Sequence, residues 1–138
     1  LNAKLRYVDS WTNQRIKIAS KYAELMNGFQ TLRLPQKPDC AKHVYHLFVV
    51  RVNNRDALLA RLRKAGVGAM IHYPTPLPFL LAYRKRGHTH AEFPVAHAVT
   101  QEIISLPLYP ELRTEQVIFV ANVIRRHTRQ DYGKSQIA

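Results

Sequence analysis

Residues 43–72 read HVYHLFVVRVNNRDALLARLRKAGVGAMIH. The first ten are rich in β-branched and aromatic residues. Val44, Phe48, Val50 and Val52 fall on one side of a pleated chain; Tyr45, Leu47 and Val49 fall on the other. Apolar residues on both sides predict a central strand over 43–52. Asn53 or Asn54 can cap the helix that follows. Asp56 sits in its first turn, with Arg63 and Lys64 in its last, as the helix dipole favours. Leu58, Leu59 and Leu62 make the stripe for burial. Gly66 suits the left-handed stop. VGAMIH, at 67–72, then reads as a second strand. The expected unit is therefore β-α-β, or half of an α/β plait.

Outward from this unit the pattern continues. Residues 77–86 form a short apolar segment with a basic end, expected as a helix. GHTHAE, at 87–92, is a polar loop. Pro94 suits the first turn of a helix over 94–103, with Val95, Val99 and Ile103 on its inner face. ISLPLYP, at 104–110, reads as a short extended piece. Thr114 can cap a last helix, 115–128, that turns Val117, Val120, Ala121 and Ile124 inward. Residues 129–138 read as a flexible tail. At the other end, LNAKLRYVDSWTNQRIKIASKYAELMNGF has apolar residues at near-helical spacing: Leu1, Leu5, Val8, Ile18, Tyr22 and Leu25. The spacing breaks around Arg15. A helix from residue 2 to 27 would be about 38 Å long, more than a domain of this size needs. A further segment upstream of Leu1 is the expectation.

At 138 residues the chain has the size of one domain. Apolar residues are 46%, enough for a core, so disorder is excluded. Lys and Arg number 21 against 9 Asp and Glu, a formal charge of +12. That balance favours acidic partners, among them nucleic acid and phosphorylated small molecules. A single cysteine, Cys40, excludes an internal disulfide and fits a reducing compartment. No apolar run nears the roughly 18 residues of a membrane span. The expectation is a cytoplasmic protein without a membrane partner.

Several chemistries lack their residues. There is no HExxH, no CxxC and no glycine-rich phosphate loop. His88 and His90 share a loop with Glu92, which is not a closed metal site, so no metal is expected. The basic residues are spread over several segments, and no nucleic-acid module signature is present. His72 and Tyr73 are different. They end the second strand and enter a loop stiffened by Pro74, Pro76 and Pro78. Such a mouth places side chains well for contact with a ligand. The competing reading is structural: a tyrosine packed on prolines and a histidine capping a strand.

The order of short motifs carries a family resemblance. Arg55-Asp56 opens a helix and Gly66-Val67 follows it. Then come His72-Tyr73-Pro74, Phe93-Pro94-Val95-Ala96 and Ser105-Leu106-Pro107-Leu108-Tyr109-Pro110. This series resembles the C-terminal part of the DegT/StrS-type sugar aminotransferases over residues 1–128. The opening helix looks like the helix that links the large and small domains of that family. The resemblance implies a fold-type-I enzyme dependent on pyridoxal phosphate and working as a homodimer. Its substrate would be a keto sugar linked to a nucleotide, with an amino donor such as glutamate.

The resemblance also implies what is missing. Transamination needs a lysine to hold the cofactor and relay a proton, and an acid beside the pyridine nitrogen. The family carries both upstream, the lysine in a Ser-x-His-Lys setting, and none of the eight lysines here has that context. The pyridoxal phosphate would be held by that N-terminal domain, and this chain alone would be inactive, with no catalytic residue of its own. By resemblance, His72 and Tyr73 lie near the active-site entrance as substrate-binding residues. Departures occur nearby. The family often continues Pro-Leu-His-x-Gln; here Pro76-Leu77 are followed by Pro78, Phe79 and Leu80, without the histidine and glutamine, and His97 stands where glutamate is common.

The expected fold is thus α/β (α+β): a sheet of two to four strands packed with helices and preceded by a long N-terminal helix. Residues 1–28 would be the linking helix, 29–128 the small domain. Two other classes stay in play, a stand-alone interaction or regulatory module derived from that domain and a basic nucleic-acid-binding domain.

Overall fold

The computed structural model describes residues 2–135, with side chains described through Thr128. The elements run α1 (Asn2–Leu5), α2 (Val8–Met26), β1 (Leu32–Arg33), β2 (Phe48–Val52), α3 (Arg55–Lys64), α4 (Pro94–Glu102), β3 (Ile103–Leu106) and α5 (Thr114–Ser135). Two 3-10 turns, Leu77–Phe79 and Leu81–Arg86, replace the helix expected over 77–86. The chain breaks at Leu80, whose ψ of 148° is extended rather than helical and divides the segment into two short turns.

The sheet is antiparallel, in the order β1-β2-β3. Leu32 pairs with Val52, and Phe48 pairs with Leu106. β2 is central, as its two-sided apolar pattern predicts. The second expected strand is largely absent. Of residues 67–72 only Met70 joins the sheet, through a bridge to Ser105. Gly68 offers no side chain to pack on a pleated surface. Ser105 also pairs with Val49 of β2. β3 therefore lies between β2 and Met70, and the expected β-α-β unit is a split one, with the intervening strand antiparallel to both.

The strand expected over 43–52 begins only at Phe48. Tyr45 has a positive φ of 49°. Its backbone N–H donates to Nδ1 of His43 at 3.0 Å, and the two rings pack at 4.1 Å. A local side-chain bond of this kind competes with the ladder and ends the strand early.

One core holds the elements together. β2 turns Phe48, Val50 and Val52 into it. α3 adds Leu58, Leu59 and Leu62, and α5 adds Val117, Val120, Ala121 and Ile124. These helix positions match the stripes read from the sequence. Val95 does not: it is 75% exposed, and α4 buries Thr100 instead. α2 contributes only its C-terminal half, through Ala19, Tyr22 and Met26. Its N-terminal half and α1 bury nothing. The long first helix is also broken, at Arg6 and Tyr7 rather than near Arg15, where α2 runs through uninterrupted. α5 continues to Ser135, past residue 128, where the apolar pattern gives out. The last part of the expected tail, 136–138, lies outside the described residues.

Two arginines tie α4 to its neighbours, Arg55 from α3 and Arg51 from β2. Arg55 is buried, donates to the Thr100 carbonyl at 3.2 Å and pairs with Asp56 at 2.6 Å. Arg51 meets Glu102 at 2.8 Å, with both side chains partly solvated. A half-solvated pair of this type contributes little. Glu102→Gln is expected to cost under about 1 kcal/mol in urea denaturation, and high salt should shrink the difference. A loss several times larger would show the pair to be structurally essential.

Candidate substrate-facing corner

The His72-Tyr73 corner is held by β3. The Met70 backbone exchanges hydrogen bonds with Ser105, at 3.1 and 2.7 Å. Two residues on, His72 Nδ1 lies 2.9 Å from the Ser105 hydroxyl. Ser105 itself is buried. Where the hydroxyl donates to Nδ1, the His72 proton sits on Nε2 and is available as a donor to a bound oxygen. Ser105 was not singled out from the sequence. Its signal is a lone hydroxyl inside the apolar run Ile103-Ile104-Ser105-Leu106, since a buried hydroxyl needs a partner.

Tyr73 is 73% exposed and meets His72 edge to face at 5.7 Å. It is not packed away against the prolines. The peptide between the two residues is cis. Met70, Leu77 and Leu81 are also exposed along this stretch. His72 and Tyr73 are thus brought together, the first anchored and the second free at the ring.

Behind the corner, Tyr22 of α2 donates to the Pro107 carbonyl at 3.1 Å. This fixes the loop after β3 to the core. Burial, and then the neighbouring Tyr109, push the Tyr22 hydroxyl well above its ordinary value. On the far side, the polar 87–92 loop is more ordered than its composition implies. Thr89 donates to the Glu92 carboxylate through its backbone N–H at 2.6 Å and its hydroxyl at 3.1 Å. The backbone bond first, then the hydroxyl, hold Glu92 below its usual value. His90 stacks on His97 at 3.8 Å, and His88 meets Phe93 edge-on at 5.1 Å.

A pyridoxal phosphate site does not fit the residues described. Lys4, Lys17, Lys37, Lys42, Lys64 and Lys85 are exposed, and Lys21 pairs with Glu24 at 2.8 Å on the surface of α2. Among the described residues, no carboxylate is buried to face a pyridine nitrogen. The corner can contact a substrate, but it cannot anchor the cofactor.

Residues 1–125 match the DegT/DnrJ/EryC1/StrS aminotransferase family. The chain belongs to that family. A DegT/DnrJ/EryC1/StrS relative, the erythromycin biosynthesis sensory transduction protein EryC1 of Saccharopolyspora erythraea, is 39% identical over 115 residues. The match covers 83% of this chain and 31% of the relative. A UDP-N-acetyl-3-dehydro-α-D-glucosamine 3-aminotransferase from Acidithiobacillus ferrooxidans is 36% identical over 126 residues, covering 91% and 33%. Among solved structures, DesV of S. venezuelae superposes with a TM-score of 0.89 at 29% identity, covering 92% of this chain and 34% of DesV. The chain spans about a third of the length of the curated relatives it matches. Its mixed α/β architecture, a small antiparallel sheet with helices, matches the corresponding third of DesV. The family depends on pyridoxal phosphate.

Proposed function

We propose that this chain is the C-terminal part of an enzyme that aminates a keto sugar linked to a nucleotide. The observation that carries the reading is the family match across residues 1–125. Relatives named for this chemistry are three times as long, which supports a division of labour. Under this reading the cofactor is held by an N-terminal portion, the amino donor is a compound such as glutamate, and the enzyme is a cytoplasmic homodimer. Among the described residues no helix is long and apolar enough to cross a membrane, which is compatible with that location. Residues 1–28 serve as the link between the portions and residues 29–128 as the small domain, a reading supported by α1 and the first half of α2, which bury nothing.

His72 and Tyr73 take the substrate side. The anchored imidazole donates to a sugar or phosphate oxygen, and the exposed phenol ring packs against the substrate or braces the loop. The isolated chain does not transaminate, because no described lysine is placed to hold the cofactor. The test is an amination assay of the purified 138-residue chain with pyridoxal phosphate, glutamate and nucleotide-linked keto sugars. No turnover above the uncatalysed rate is expected. Turnover by this chain alone would reject the division of labour.

A further inference from the structure

Beyond the His72 corner, the 77–88 segment carries two adjoining hollows of about 280 and 230 Å³. Pro78, Tyr83 and His88 line both, so the tyrosine and histidine stand as a shared wall. One hollow contains Arg84 and the other Arg86. The Arg86 guanidinium lies 5.9 Å from the centre of the Tyr83 ring. A guanidinium held over a ring keeps its N–H edge free for an anion.

Among the described residues, neither Arg84 nor Arg86 has a carboxylate within ion-pair distance. The nearest acid in sequence, Glu92, is occupied by Thr89 and lies 3.6 Å from His88. The segment is also held in shape. Gly87 turns the chain at a positive φ of 66°, donating to the Arg84 carbonyl at 3.2 Å. Phe79 meets His90 edge-on at 4.8 Å, and His90 stacks on His97 of α4. The arginines therefore project from a braced loop, which reduces the ordering cost of binding.

The geometry points to a subsite for a diphosphate group, with one arginine serving each lobe and Tyr83 flanking the organic moiety. One cation per lobe matches an anion with two charged centres better than a single carboxylate. Arginine pairs with phosphate oxygens through two parallel N–H donors. This inference rests on the nucleotide-sugar reading, which supplies a diphosphate as part of the substrate. The shared chemistry is the diphosphate, whether free or carried by a nucleotide.

The test is calorimetric titration of the 138-residue chain at low ionic strength with inorganic pyrophosphate, and separately with uridine diphosphate. The double substitution Arg84→Ala/Arg86→Ala is expected to weaken pyrophosphate binding about tenfold or more. A control that removes the same charge from α3, Arg63→Ala/Lys64→Ala, should change it less than about twofold. Circular dichroism confirms that both variants fold. Uridine diphosphate binding more tightly than pyrophosphate supports the site with a nucleotide as its source, and equal affinities support it for the bare diphosphate. Equal losses in the two double variants would overturn the site in favour of diffuse charge, as would no binding of either probe by the parent chain. Neither result touches the aminotransferase assignment, which is read by turnover.

Discussion

Replacing Tyr22 with alanine is expected to cost about 3–5 kcal/mol of folding stability, as for other large aromatic truncations in a core. Tyr22 is fully buried in the C-terminal half of α2. Its ring stacks on Phe48 of β2 at 5.1 Å, and its hydroxyl holds the Pro107 carbonyl. The substitution leaves a cavity between α2 and the sheet and an unpaired carbonyl in the loop after β3. Domains of this kind have only about 5–15 kcal/mol in total. The urea midpoint should fall steeply, and a variant with an unchanged midpoint would show that α2 is not part of the cooperative core. Tyr22→Phe separates the two contributions. It keeps the ring and loses one hydrogen bond, about 1 kcal/mol.

The same phenol gives stability a pH dependence. Its folded-state pKa is raised above the ordinary 10.0, chiefly by burial. The unfolded chain releases this proton near the ordinary value, while the folded chain keeps it. Above that pH the unfolded state binds fewer protons, so stability falls as pH rises. The contribution is fully present below about pH 10 and is lost progressively toward the folded-state value. Tyr22→Phe should flatten the alkaline decline. Parallel declines in parent and variant would contradict the assignment.

The second large effect is expected in the complete enzyme. His72→Ala should lower kcat/KM for the sugar substrate about tenfold or more, the scale of a lost hydrogen bond to a charged oxygen. Affinity for pyridoxal phosphate should stay within about twofold, since the corner does not fit the cofactor. Ser105→Ala provides a companion test. It leaves the imidazole in place but releases its anchor, so it should weaken sugar use by a smaller factor. Equal sugar kinetics for His72→Ala and the parent enzyme would remove His72 from the substrate side.

Legibility of the fold followed the reach of the forces involved. α3 was readable because its apolar stripe and Gly66 stop are local, although Asn54 at its start makes no side-chain capping bond. β2 was readable as central because both its faces are apolar. The early end of that strand was not, since it depends on Tyr45 adopting a positive φ beside the His43 ring. The failure of 67–72 as a strand has a similar origin: apolar composition there serves burial of Val67 and Ala69 rather than pairing. Val95 had the right helical spacing but faces solvent. His72 and Tyr73 stood out by their place before the prolines, whereas Ser105 did not, because its role arises from a contact 33 positions away. The hollows beside Tyr83 depend on how two 3-10 turns stack, which periodicity does not encode.

The unburied half of α2 acts as a lever arm. From Ala19, where burial begins, to Val8 the helix extends about 16 Å. A tilt of roughly 10° about Ala19 would displace the Val8 end by about 3 Å at that length. Because Tyr22 also grips the loop after β3, and β3 carries the His72 anchor, that tilt would be mechanically geared to the corner itself.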